Sequence, residues 1–529
     1  MKSWSFISIP LLSILLFSCD DTQDSTVKVM MTMPDKSVAM LPMVEDMELP
    51  MEMADQMMIP IATPSAAYQI VPCVDYVEEE VEDLECALLT MPQNRLNATD
   101  LDLELFIVRP QRPPEVNALP VIVLAGGPGS SHASFAARKA LPITMSRLLN
   151  REVIYYEQRG IPPSVPSTLC PGLDTAFSES AAFSGCRSEL EAIGVDVHSF
   201  NTLENAADIA QIAEILGYEQ IDLIAGSYGT RLAAQVLSRH PETIRAAVLG
   251  GVDVPNTNDA FPGSPVFLNT FETAITLFGE WCDADDLCTL INPNFDYPTV
   301  INQIESLIER DGAIEIFGQP ITEVNELAGF AFQMMYIAQI RNLFFGMLYH
   351  VANESLPSYL MHIGEGDAEA GANFLYQLIT SAQEAIFGGS SVMSYVTMCY
   401  DGDEDYCQVI GDRVDDYPAQ EFTQIAGSDH PVLFLSGELD PSTPIVNMDL
   451  ITPLFPNHVH STFACLGHDL SRISNLGNGQ CVIDQVRTFL DNPSAELPNC
   501  APSLCQELPL APTMSELSLL LGDYVEDFD

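Results

Sequence analysis

Ser227 lies in the run Ile221-Asp-Leu-Ile-Ala-Gly-Ser-Tyr-Gly-Thr230, where an apolar stretch leads into small residues around a hydroxyl and then into helix-forming sequence. A strand that turns sharply into a helix holds such a serine in strained backbone, so its neighbours must be small. Its hydroxyl then stands clear of the turn, where the helix N-terminus favours developing negative charge. Ala225 stands where the usual GxSxG pattern has its first glycine, and alanine is small enough for the turn. An alcohol of this kind attacks a carbonyl only when a base takes its proton and a third group orients the base. Asp440 follows the apolar run Val432–Ser436 and precedes a Pro-rich turn, while His468 sits in a glycine turn after the run His458–Ala464. Nucleophile, acid and base therefore come in the chain order Ser, Asp, His, each just past a predicted strand. Glu438 is a rival acid, and His132 and His240 are rival bases with weaker settings.

A second glycine-rich turn follows Val121–Leu124 at Ala125-Gly-Gly-Pro-Gly-Ser130. In this setting its N–H groups suit an oxyanion better than a phosphate, since the glycine spacing and the lysine of a phosphate loop are absent. Gly127 and Tyr228, the residue after the nucleophile, are the candidate donors. The resulting chemistry is acyl transfer through an acyl-enzyme, and it requires no metal or cofactor.

The elements that must position these groups are legible as alternation. Leu101–Val108, Val121–Leu124, Val153–Tyr156, Ile221–Ala225 and Ala246–Leu249 read as strands, the last four short and mostly apolar. Leu203–Leu216 and Thr230–Leu237 read as helices between them. Such alternation predicts an α/β fold with a mostly parallel sheet covered on both faces. From residue 256 to about 395 the pattern turns helical, as in Phe267–Trp281 and Val324–Leu348, which predicts a large helical cap inserted into the core. The expected organisation is a leader at 1–19, a Met-rich tether at 20–66, core at 67–255, cap at 256–395, core again at 396–510, and an acidic tail with an amphipathic run at 511–529. The Met-rich stretch has no persistent period and reads as a flexible tether; its thioethers leave soft-metal binding as the alternative.

With 20 Lys+Arg against 74 Asp+Glu, the net charge of −54 argues against nucleic acid and anionic membrane surfaces as partners. Adaptation to saline water is the plain reading of that acidity. Lys2 followed by the apolar run Phe6–Phe17 reads as an export signal too short to span a membrane as a mature helix. Leu16-Phe17-Ser18-Cys19 resembles the bacterial lipobox, which makes Cys19 the expected lipidated residue and a lipid anchor in the cell envelope the expected location. An ordinary cleaved signal with a chance cysteine is the competing reading. Removing Cys19 from the 13 cysteines leaves 12, and pairing of sequence neighbours would join 73–86, 170–186, 282–288, 399–407, 465–481 and 500–505 in an oxidising compartment.

Several motifs resemble the proline iminopeptidase and tripeptidyl aminopeptidase branch of the α/β-hydrolases, above all its exported bacterial members. Gly126-Gly127-Pro128-Gly129 resembles that branch's HGGPG, with Ala125 in the histidine position, and Tyr156-Glu157-Gln158-Arg159-Gly160 resembles YDQRG. Gly226-Ser227-Tyr228-Gly229-Thr230 resembles GSYGT, and Gly437-x-x-Asp440-x-x-Thr443-Pro444 with Gly467-His468 resembles its last two catalytic segments. The resemblance spans roughly residues 67–505 and implies an α/β-hydrolase core acting on peptides with a free N-terminus, whose ammonium is met by carboxylates. Met398-Cys399-Tyr400-Asp401 resembles a family segment of the form C-x-[DE], which makes Asp401 the candidate amine partner; a solvated acid in the acid-rich loop Asp401–Asp405 is the competing reading. An esterase or other small-molecule acyl hydrolase, and a non-catalytic lipid-tethered binding protein, remain the alternatives from other classes.

Overall fold

The computed structural model describes residues 67–521 apart from 78–80, 98–100, 115–117, 171–178, 255–263, 317–318, 388–390, 403, 411–424, 426, 469, 471–478 and 501–508. The leader, Cys19 and the Met-rich tether lie outside the described residues.

A sheet of nine strands organises the molecule. β1 (Tyr68–Val71), β2 (Leu84–Pro92) and β3 (Asp102–Pro110) form an antiparallel edge, and β3 pairs antiparallel with β5 (Val153–Tyr156). From there β4 (Val121–Leu124), β6 (Ile221–Ser227), β7 (Ile244–Val252), β10 (Val432–Gly437) and β11 (His458–Phe463) continue in parallel, in the spatial order β1-β2-β3-β5-β4-β6-β7-β10-β11. The sequence runs read as strands all appear.

Side chains alternate across this sheet, and each face has its own core. Ile122, Leu124, Ile154, Leu223, Leu249 and Phe434 point into one. Val121, Val123, Val153, Ile224, Val248 and Leu435 point into the other. The first face is covered by the Thr202–Leu216 and Tyr228–Arg239 helices. The second is covered by the Ala133–Arg138, Leu141–Leu149 and Gly479–Asp491 helices. Thr202–Leu216 shows how local chemistry fixes an element. Asn201 caps it by accepting from the Leu203 and Glu204 N–H groups, and Gly217 ends it at φ +80°. Ala206, Ile209, Ile212 and Ala213 form its buried face. Asp208 on this helix takes both arms of the buried Arg159 guanidinium, at 2.7 and 2.9 Å, which ties the segment after β5 to the layer above it.

The insertion between β7 and β10 has a separate apolar core built on Phe267, Phe271, Phe278, Phe295 and Phe345. It is mainly helical, with one hairpin, β8 (Ile314–Ile316) and β9 (Gln319–Ile321). The stretch expected as one helix over 324–348 is broken. A short turn at Val324–Glu326 leads into Leu327–Met334, and a new helix begins at Ala338. The break carries Met335 and Tyr336 over Gly467 and His468, where a Cβ on Gly467 would lie 2.4 Å from the Met335 carbonyl oxygen. The amphipathic run of the tail packs on the cap. Met514–Leu521 is a helix whose Leu517 is fully buried in the cap core, and the Ala511 carbonyl accepts from His362 Nε2 at 2.8 Å.

Four of the neighbour cysteine pairs form, at 73–86, 170–186, 282–288 and 399–407. The next does not: Cys481 joins Cys500, and Cys465 is disulfide-bonded elsewhere. Sequence proximity loses here because Cys465 ends the β11 segment, while Cys481 opens the Gly479–Asp491 helix against the segment that holds Cys500.

Candidate active site

Ser227 ends β6 and caps the Tyr228–Arg239 helix with φ +54° and ψ −132°. A serine in that region carries strain that only a crowded turn maintains. The pairing with β7 shifts at this point, from Gly226 opposite Gly250 to Ser227 opposite Val252. The crowding is specific. A Cβ on Gly126 would lie 2.9 Å from the Ser227 Cβ, and one on Gly229 would lie 2.4 Å from the Leu124 carbonyl oxygen. Ala225 is buried in the core, and its single methyl fits there. Gly229→Ala is therefore expected to cost about 1–3 kcal/mol, because the new methyl meets backbone that cannot rotate away; thermal unfolding of the variant measures it.

Asp440 and His468 meet above the neighbouring strands. His468 Nδ1 is 2.8 and 3.0 Å from the two Asp440 carboxylate oxygens. The other demands on Asp440 are met by donors: the Ser442 and Thr443 N–H groups bond Oδ1 at 2.9 and 2.8 Å, and the Thr443 hydroxyl donates to Oδ2 at 2.6 Å. With Nδ1 donating to the carboxylate, Nε2 is the ring's acceptor. The ring rests on β7, since a Cβ on Gly251 would lie 3.2 Å from His468 Cε1, and Gly251 adjoins the residue paired with Ser227. From the cap, Tyr336 meets the imidazole edge-on, with ring centroids 4.9 Å apart, and Arg341 donates to the Cys465 carbonyl at 2.9 Å.

The rivals fall elsewhere. Glu438 is exposed. His132 packs its ring against Tyr155 beside the Ala133–Arg138 helix. His240 caps the far end of the nucleophile's helix, about 20 Å from Ser227 at 1.5 Å per residue.

The loop bearing Gly127 follows β4, which pairs directly with β6. Gly127 has φ +106°, a conformation that glycine permits. Tyr228 starts the helix, so its N–H has no acceptor within that helix. The segment after β5 holds the loop in place. Gln158 donates to the Ala125 carbonyl at 3.0 Å. Glu157 accepts from the Ser131 hydroxyl and from the His132 and Ser134 N–H groups at 2.8, 2.9 and 3.0 Å. Full burial pushes the Glu157 carboxyl up to about 7 against those donors.

Asp401 lies beneath the nucleophile's helix rather than open to a ligand. It is 2% exposed, accepts from Thr202 Oγ1 at 2.9 Å, and pairs with Arg231 at 3.2 Å. Burial pushes its carboxyl up to about 6, with Arg231 opposing that rise. A substrate ammonium would have to displace the Arg231 guanidinium to reach it. Arg231 also pairs with Asp253 at 2.8 Å. Sequence reading passed over Arg231, although a charge four residues past the nucleophile was a usable signal. Thr443 stood in a quoted motif without a role, and its hydroxyl braces both Asp440 and His468. Among the described residues no group of His, Cys, Asp and Glu is arranged to hold a metal ion, and no helix is long and apolar enough to cross a membrane.

Comparison with known proteins agrees with this layout in part. The family model described as alpha/beta hydrolase fold matches residues 120–292, and one described as TAP-like protein matches residues 397–501. The first holds Gly127, Ser227 and Tyr228, and the second holds Asp440 and His468. A curated Escherichia coli (strain K12) protein named "Putative hydrolase YuaR" is 26% identical over 212 residues, which is 38% of this chain and 40% of that protein's length. Among solved structures, a thermophilic esterase from Thermogutta terrifontis is 13% identical over 77% of this chain and 99% of its own, with a TM-score of 0.35. A Chitinophaga pinensis protein described as having the alpha/beta hydrolase fold is 12% identical over 81% of this chain and 98% of its own, with a TM-score of 0.32.

Proposed function

We propose that this chain, which has the α/β-hydrolase fold, is a serine hydrolase that works through an acyl-enzyme. One observation carries the reading: Ser227 sits strained at the strand–helix turn while His468, held by Asp440, packs against Gly251 of the strand beside it. His468 Nε2 takes the Ser227 proton as Oγ bonds to the substrate carbonyl carbon. Asp440 fixes the tautomer and stabilises the imidazolium. The N–H groups of Gly127 and Tyr228 receive the oxyanion. His468 then protonates the leaving group, and the same steps with water release the acyl product.

The finer assignment is an aminopeptidase that removes N-terminal residues or short peptides. Its support is the set of motifs shared with the proline iminopeptidase and tripeptidyl aminopeptidase branch, together with the TAP-like match over the segment that carries Asp440 and His468. A cap resting on His468 through Tyr336 restricts entry from above, which suits short or terminal segments. Asp401 is not assigned to the substrate's amine, because Arg231 occupies it. The disulfides favour an oxidising compartment, and an exported protein held by a lipid on Cys19 is part of the same proposal.

Aminoacyl and short peptidyl amides assayed beside simple acyl esters separate the two substrate classes. Amide cleavage that requires a free N-terminus is the expected result. Ester turnover without amide cleavage would leave the serine hydrolase standing and remove the peptidase. Failure of a fluorophosphonate to label the protein would remove both.

A further inference from the structure

Two segments must keep a fixed gap if an oxyanion is to be held between them: the Gly126–Gly129 loop and the N-terminus of the Tyr228–Arg239 helix. A single helix touches both. It is Val392–Tyr400, where the chain returns from the cap, and its Val392, Met393, Val396, Cys399 and Tyr400 are buried in the core on the face covered by the nucleophile's helix.

At its start, two serines form a directed chain. Ser391 Oγ accepts from the Ser394 N–H at 3.0 Å and lies 2.7 Å from Ser394 Oγ, and Ser394 Oγ donates to the Pro128 carbonyl at 2.9 Å. Each hydroxyl has one proton. Since the Ser394 proton goes to Pro128, the Ser391 proton must go to Ser394. The loop seats closely on this pair: a Cβ on Gly129, whose φ is +91°, would lie 2.1 Å from Ser394 Oγ and 3.2 Å from Ser391 Oγ. The helix start is itself fixed, because the Val392 N–H bonds the Thr168 carbonyl at 2.8 Å. At its other end, Asp401 holds Arg231, three residues beyond Tyr228, and Thr202, whose hydroxyl lies 3.1 Å from the Tyr228 hydroxyl.

We propose that Ser394 is a positioning residue for the oxyanion site: oriented by Ser391, it holds the Pro128 carbonyl and so aims the neighbouring Gly127 N–H at the gap above Ser227. Asp401 fixes the same helix to the segment bearing the second donor, so one rigid element sets the distance between them. This assignment rests on the serine hydrolase reading.

The test uses the full chain carrying Ser394→Ala or Ser394→Cys, with a substrate that the wild type turns over and a boronic acid that forms a tetrahedral adduct on the serine. A donor misplaced by about 1 Å costs on the order of 100-fold. Ser394→Ala is therefore expected to lose about that factor in kcat with KM within about twofold of wild type. Its affinity for the boronic acid should fall in parallel while the melting temperature holds. Ser394→Cys, a weaker donor of similar size, should lie between the two, and it carries the test if the alanine variant does not fold. Wild-type kcat and boronic acid affinity in Ser394→Ala would overturn the proposal, as would a change confined to KM. If wild type reacts with a fluorophosphonate while the Ser394 variants behave like it, this assignment alone fails; a wild type that does not react removes the reading beneath it.

Discussion

Ser227→Ala is expected to lower kcat by roughly 10⁶-fold, the scale on which a triad serine acts, and to abolish labelling by a fluorophosphonate. No described neighbour can replace this alcohol, because the position is defined by its backbone: φ +54° at the junction of β6 and a helix, with Gly126 and Gly229 packed too closely for any side chain. The substitution removes only Oγ, and alanine is small enough for the turn, so the melting temperature should stay close to wild type. Steady-state turnover and the mass of the intact protein after labelling measure the two effects. Turnover within tenfold of wild type would mean that another residue is the nucleophile.

Asp440→Asn should follow with a loss of about 10⁴-fold in kcat, the scale seen when an orienting carboxylate becomes an amide. The local hydrogen bonds dictate how the amide must sit. Two backbone N–H groups converge on Oδ1, so the asparagine oxygen has to face them. Its NH₂ then falls on the Oδ2 side, 2.8 Å from His468 Nδ1 and within reach of the Thr443 hydroxyl. The imidazole must accept at Nδ1 and carry its proton on Nε2, which removes the lone pair that the proposed mechanism uses to take the Ser227 proton. Glu438→Gln, two residues earlier at the same strand end and exposed, should leave kcat unchanged. Near-normal turnover in Asp440→Asn would transfer the orienting role elsewhere.

Much of this was legible because short apolar runs in a buried parallel sheet look alike wherever they occur, and because glycine marks sharp turns. The runs Val121–Leu124, Ile221–Ala225 and Val432–Ser436 became β4, β6 and β10, and the candidate residues Gly127, Ser227 and Asp440 fall at or just past their ends. β2 was missed: Leu84–Pro92 carries no strong alternation and gains its order from pairing with β1 and β3 over its whole length. Spacing alone could not show that the 324–348 stretch must break to pass over Gly467, since the reason lies more than a hundred residues further on. Asp401 illustrates the same limit. Its motif placed it near the site, but only the fold shows Arg231 already on it. Ser394 gave no sequence signal, because its partner is a carbonyl in a loop 266 residues away.

The cysteine connections bear on biogenesis. A polypeptide threaded N-terminus first into an oxidising space, as the export proposal requires, meets its thiols in sequence. The first four bridges, with separations of 13, 16, 6 and 8 residues, are those that simple order of emergence would produce. Cys481 is the exception: when it emerges, Cys465 is already waiting, while its true partner Cys500 is still 19 residues behind. A rapid oxidant would capture the wrong couple next to the histidine loop, so vectorial maturation of this enzyme calls for thiol–disulfide reshuffling at that one place.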